Sequence, residues 1–196
     1  PKSFLNELYC ETDRILVNSA FLGERLGLDD FDIVYNSVGK KADIIRKNEN
    51  PPAKNKNLLC TAGLLHKTKH HHEAILALAV TAKHYPGMKL AIAGTGYEEA
   101  ELRKIARMAN VEVRVIFTGW LDDPVKLMQE SFLTLMCSRN EAFGRVTVES
   151  MSVKTPVIGY EQGGTKEIIE NYKNGLFYRN NFHHLADKIL LLKANP

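Results

Sequence analysis

At 196 residues with 44% hydrophobic side chains, the chain is long enough to bury one well-filled core and has the composition of an ordinary globular domain. Its 26 basic and 23 acidic residues leave a net charge of +3, too balanced for nucleic-acid binding without a basic stripe, so only a mild preference for anions follows. No stretch approaches the ~20 apolar residues of a membrane-spanning helix and the opening PKSFLNELYC lacks the order of a secretory signal, which reads as a cytoplasmic chain.

In chain order, RILVN reads as a strand, SAFLGERLG as a helix and FDIVYNSVG as a second strand. The charged, proline-bearing stretch KKADIIRKNENPPAKNKN then places a linker or long loop at residues 47–56, and residues 1–46 read as the remnant of a larger domain. From residue 57 to 196, short apolar runs alternate with amphipathic segments, the pattern of an α/β domain with helices on both faces of a parallel sheet. The runs NLLCTAG, KLAIAG, VRVIFTG, FLTLM and PVIGY are the expected strands. Helices are expected over 70–84, 98–110, 124–130, 146–152, 165–171 and 182–192. In the second of these, Leu102, Ile105, Ala106 and Ala109 recur at helical spacing behind an acidic first turn. Cys10, Cys60 and Cys137 form no CxxC pair and read as reduced thiols.

Ligands of an open parallel α/β sheet bind outside the carboxyl ends of its strands, so four loops matter. In AGLLHKTKHHHE, Gly63 permits close backbone approach and Lys67 and Lys69 can meet an anion, although a solvated basic helix start has the same composition. In AGTGYEEAEL, Gly94 and Gly96 suggest a dinucleotide fingerprint, but the third small residue falls late at Ala100 and a structural turn is the better reading. In TGWLDDPVK, Trp120, Leu121 and Asp123 can wall a nucleobase, while Asp123 is equally an N-cap before Pro124. In CSRNEAFGRVTVESMSVKTPVIG, Gly144 precedes a helix whose free N–H groups at Arg145 and Val146 form an anion site. Glu141 and Glu149, eight apart, look like hydroxyl holders rather than the acid and base of a glycosidase. The run His70-His71-His72 with His66 invites a metal, but adjacent side chains at a helix start splay apart, and no metal is expected.

Taken together, the E-x7-E spacing of Glu141 and Glu149 within SRNEAFGRVTVES, the GGTKE segment at 163–167 and the closing Asn174-Gly175-Leu176 resemble a known family. It is the carboxyl-terminal domain of the family 4 (group 1) retaining glycosyltransferases of the GT-B fold, and the resemblance spans residues 12–192. It implies a Rossmann-like domain, one half of a two-domain enzyme, that holds a nucleoside diphosphate sugar without cofactor or metal, a UDP-sugar first and GDP-mannose next. It further implies that Glu141 lies at the donor sugar and Glu149 at the ribose hydroxyls. The backbone of Phe143, Gly144, Arg145 and Val146 would hold sugar and diphosphate, Lys69 would meet the diphosphate, and Leu121 and Asp123 would line the base. Leu64 stands where the family carries an arginine, which leaves His66 or Lys67 to assist Lys69. IVYNSVG resembles the crossing strand with its usual asparagine at Asn36. A glycan or lipid-linked acceptor would bind through an amino-terminal domain not present here, so the chain alone is expected to be inactive, and the intact protein is expected in the cytoplasm, peripheral at the inner membrane face. Two rivals are a nicotinamide-dependent oxidoreductase resting on Gly94 and Gly96, and a nucleotide-binding module that has lost turnover.

Overall fold

The computed structural model describes residues 14–37 and 53–195; Cys10 and most of the expected linker lie outside them. In the first range β1 (Leu16–Val17) pairs in parallel with β2 (Asp32–Ile33), and α1 (Ala20–Leu26) connects them. Ser19 is extended and its Oγ accepts the Leu22 N–H, a serine N-cap, while Gly27 closes the helix in the left-handed conformation that glycine adopts at least cost.

The second range holds β3 (Asn55–Ala62), α2 (His71–Thr81), β4 (Lys89–Ala93), α3 (Glu99–Met108), β5 (Val115–Gly119), α4 (Pro124–Glu130), β6 (Ser131–Met136), α5 (Arg145–Ser152), β7 (Val157–Tyr160), α6 (Thr165–Ile168), β8 (Gly175–Tyr178) and α7 (Phe182–Ala194). The six strands form one parallel sheet in the order β5-β4-β3-β6-β7-β8. Helices cover both faces, as the alternating pattern predicts. Successive residues of β3 show why its apolar run faces both ways: Leu59 joins the large core under α2, α3 and α7, and Cys60 joins a smaller core with Val125, Met128 and Val153 under α4 and α5. Cys60 and Cys137 are buried free thiols.

Differences from the sequence expectations have local causes. β3 begins at Asn55, inside the expected linker, and the helix expected from residue 70 starts at 71 because His70 sits in the left-handed region, with φ 51°. The helix expected over 165–171 stops after Ile168, where side chains take over the backbone: Asn174 Oδ1 accepts Glu170 N–H, Asn174 Nδ2 donates to Ile168 O, and Asn171 Oδ1 accepts Phe177 N–H. That turn delivers β8, a strand not expected from its short run.

Chain order runs outward from β3 to β4 and β5, then returns to the other side of β3 at β6. This reversal places the loops after β3 and after β6 side by side, and the crevice of a doubly wound sheet opens at such a point.

Candidate functional site

A cavity of about 310 Å³ occupies that crevice. From the expected site residues it gathers Gly63, Lys69, Glu141, Phe143, Arg145 and Val146. Leu64 and Met136 add apolar wall, and Asn18 and Asn36 reach in from the first segment. At its centre Lys69 Nζ donates to Glu141 Oε2 at 2.5 Å, a half-buried ion pair across the β3 and β6 loops.

The lysine is placed by a short turn. Residues Lys67–Lys69 form one 3-10 turn whose start is capped by His66: its Nδ1 accepts the Thr68 N–H at 3.2 Å, and its ring meets Tyr97 edge-on at 5.1 Å. His66 is thus spent on the turn and does not line the cavity, contrary to its expected place at the diphosphate. Gly94 is spent likewise. A Cβ there would lie 1.9 Å from Gly63 O, and one at Gly96 would lie 2.3 Å from Leu65 O, so both glycines let the β3 loop cross over the β4 loop. Their role in the structure is this close approach.

The glutamate loop is held from two sides. Gly164 N–H donates to Glu141 O at 2.8 Å, and Cβ atoms at Gly163 and Gly164 would collide with Glu141 O and Ala142 O, which explains the paired glycines. On the other side Arg139 Nη2 reaches Glu73 Oε1 at 2.5 Å, Tyr178 OH donates to Glu73 Oε2 at 2.7 Å, and the Arg139 guanidinium lies 4.8 Å from the Tyr160 ring centroid. The sequence reading missed this anchor. Its signal was a glutamate on the apolar face of α2, a buried charge that must be paired.

The same network bears on the histidine run. His71 turns inward to Thr61 and the Leu64 carbonyl, and burial, reinforced by nearby Lys69, His72 and His70, lowers its pKa to about 4 even though the Leu64 contact raises it. His70, His72 and Glu73 do bring ligand atoms within 4.8 Å of one another. A cation there would face the Arg139 guanidinium, and both Glu73 oxygens already hold partners. The cluster is therefore an ion-pair network by its chemistry.

Gly144, at φ 94°, turns the chain into α5, which has no side-chain cap, and the first residues of that helix, Arg145 and Val146, line the cavity. One turn on, Arg145 Nε lies 3.3 Å from Glu149 Oε1. Burial raises the Glu149 pKa; Arg145 pulls it down, and Asp123 adds to the rise. Asp123 occupies the N-cap position of α4 without making the cap bond, and its Oδ1 is buried and unpaired. Neither Asp123 nor Leu121 lines the cavity; Asp123 lies near Glu149 instead.

Set against known proteins, residues 43–196 match the family model of glycosyl transferases group 1. The N-acetyl-alpha-D-glucosaminyl L-malate synthase of Bacillus anthracis is 28% identical over 151 residues, which cover 74% of this chain and 39% of that protein. The structure of HepE from Anabaena in complex with UDP-glucose superposes with a TM-score of 0.77 at 23% identity, over 94% of this chain and 55% of that one. The carboxyl-terminal domain of a group 1 glycosyl transferase, LpcC of Francisella tularensis, superposes with a TM-score of 0.68 at 25% identity, over 78% of this chain and 87% of that domain. The chain thus spans less than half of that curated relative.

Proposed function

The chain belongs to the group 1 glycosyl transferases, and from that premise we propose that it is the donor-binding, carboxyl-terminal domain of a family 4 retaining enzyme. On this reading the intact enzyme moves a sugar from a nucleoside diphosphate, a UDP-sugar first, to a hydroxyl of a glycan or lipid-linked acceptor held by an amino-terminal domain. The UDP-glucose bound by HepE supports a uridine donor, and the likeness to the LpcC carboxyl-terminal domain supports the position.

The observation that carries the proposal is the Lys69–Glu141 pair at the switch point, beside the uncapped start of α5. In the proposed reaction the bond from the anomeric carbon to the diphosphate oxygen breaks, a bond to the acceptor oxygen forms on the same face, and the acceptor hydroxyl passes its proton to the leaving diphosphate. Negative charge grows on the leaving diphosphate, and on this reading Lys69 and the N–H groups of Arg145 and Val146 stabilise it. As Lys69 turns to the phosphates, Glu141 is freed to accept a hydroxyl of the sugar. Glu149, paired with Arg145 one turn into α5, takes the ribose, and the base lies beyond the cavity on the Asp123 side of Glu149. No metal enters this scheme.

In the intact enzyme, Lys69→Ala is expected to slow turnover of the UDP-sugar on the order of a hundredfold, equivalent to ~3 kcal/mol of transition-state stabilisation. An unchanged kcat would remove Lys69 from the mechanism. The Gly94 and Gly96 packing leaves the oxidoreductase reading without its glycines.

A further inference from the structure

We infer that Asn18 reads the transferred sugar, with Asn36 beside it, an inference that rests on the donor-site reading above. Asn18 is the residue before the Ser19 cap of α1, and its side chain lines the cavity that holds Lys69 and Glu141. Its position relative to Glu141 is clamped. Ser19 Oγ donates to the Ala142 carbonyl, next in sequence to Glu141, while the Glu167 carboxylate accepts Ala20 N–H at 3.0 Å and Phe21 N–H at 2.8 Å. Tyr35 OH also donates to Glu167, at 3.2 Å, and the Tyr35 ring packs 5.7 Å from Phe143, which holds the segment after β2, with Asn36, against the same loop.

Within this clamp, Asn18 Oδ1 is buried and has no hydrogen-bond partner. A carboxamide offers two acceptor lone pairs on one side and two donors on the other, and a half-turn about its terminal bond exchanges which end faces the cavity. Among the described residues none accounts for the oxygen, which leaves it to be met by what the cavity contains. Two such amides together with the Glu141 carboxylate make a wall of hydrogen-bonding groups suited to a ligand rich in hydroxyls, whereas the cations Lys69 and Arg145 suit its phosphates. Asn18 therefore belongs to the sugar end of the donor and Arg145 to the nucleotide end. The segment 14–37 thereby contributes a specificity residue that the group on β3 and β6 lacks.

Calorimetric titration separates the two ends. The probes are UDP and whichever of UDP-glucose, UDP-galactose and UDP-N-acetylglucosamine the unaltered protein binds most tightly. Asn18→Ala is expected to weaken the UDP-sugar about tenfold while changing UDP affinity less than twofold, and Asn36→Ala, at an exposed position, to weaken the UDP-sugar about threefold with UDP again unchanged. An unchanged UDP-sugar affinity in both variants, or equal losses for UDP and UDP-sugar, overturns the assignment and leaves the donor site standing. Failure of the unaltered protein to bind UDP, GDP or any of the three UDP-sugars overturns the donor-site reading itself.

Discussion

Acid should destabilise this domain through His71. The ring is 3% exposed, lies between Thr61 Oγ1 and Leu64 O, and has its pKa lowered from an ordinary 6.5 to about 4, first by burial. In the unfolded chain the ring regains its ordinary value. Between pH 6.5 and pH 4, then, the unfolded state binds a proton that the folded state refuses, and stability falls as pH falls through that window. The loss is about 2 kcal/mol at pH 5 and levels off near 3 kcal/mol below pH 4. Urea titrations at pH 7.5 and pH 5.0 on the protein and on His71→Gln measure it, because the substitution removes this titration and leaves the other histidines in place. The unaltered protein should lose about 2 kcal/mol more than the variant between the two pH values. Parallel losses would refute the reasoning and mean that His71 carries its charge in the folded state.

Three further expectations follow from contacts elsewhere in the site. Glu73→Gln should cost about 2–3 kcal/mol in urea unfolding, less than a fully buried pair because the Arg139 side chain is 34% exposed; a loss under 0.5 kcal/mol would show that the pair does not anchor the glutamate loop. Gly94→Ala, with a Cβ 1.9 Å from Gly63 O at φ 140°, should cost about 3 kcal/mol or more, whereas Gly119→Ala, at φ 69° with open space around it, should cost about 1 kcal/mol; equal costs would mean that strain rather than close approach sets the penalty. Glu167→Ala removes the acceptor for two α1 N–H groups, so amide exchange in α1 should speed up about five- to tenfold while β3 and β4 stay protected, and uniform exchange rates would contradict the clamp.

The strands were legible because a parallel sheet covered on both faces leaves a plain apolar signature, as in KLAIA and SFLTLM. The same regularity placed α4 without error, since Pro124 marks the first turn of a helix. β8 escaped because its four residues follow a turn built from Asn171 and Asn174 side chains, and side-chain bonding of that kind leaves no periodicity to read. Within the candidate site, Lys69, Glu141 and the Gly144 turn were legible from loop position and motif spacing. The turn-capping place of His66 was not legible, because a histidine that caps its own turn has the same composition as one that meets an anion. Glu73, Arg139 and Tyr178 come from α2, the β6 loop and β8, so only the fold brings them together. Asn18 belongs with these. It lies more than a hundred residues from Glu141 in sequence and reaches the cavity through the Ser19 bond to Ala142.

The proposal that this cavity holds a nucleoside diphosphate is tested most directly by calorimetric titration of the protein with UDP, GDP, ADP and NAD, repeated with Glu149→Ala. Saturable binding of UDP in preference to the others, weakened about tenfold or more by the substitution, is the result expected if Glu149 holds the ribose hydroxyls. Binding of NAD alone, or a UDP affinity indifferent to Glu149→Ala, would contradict it.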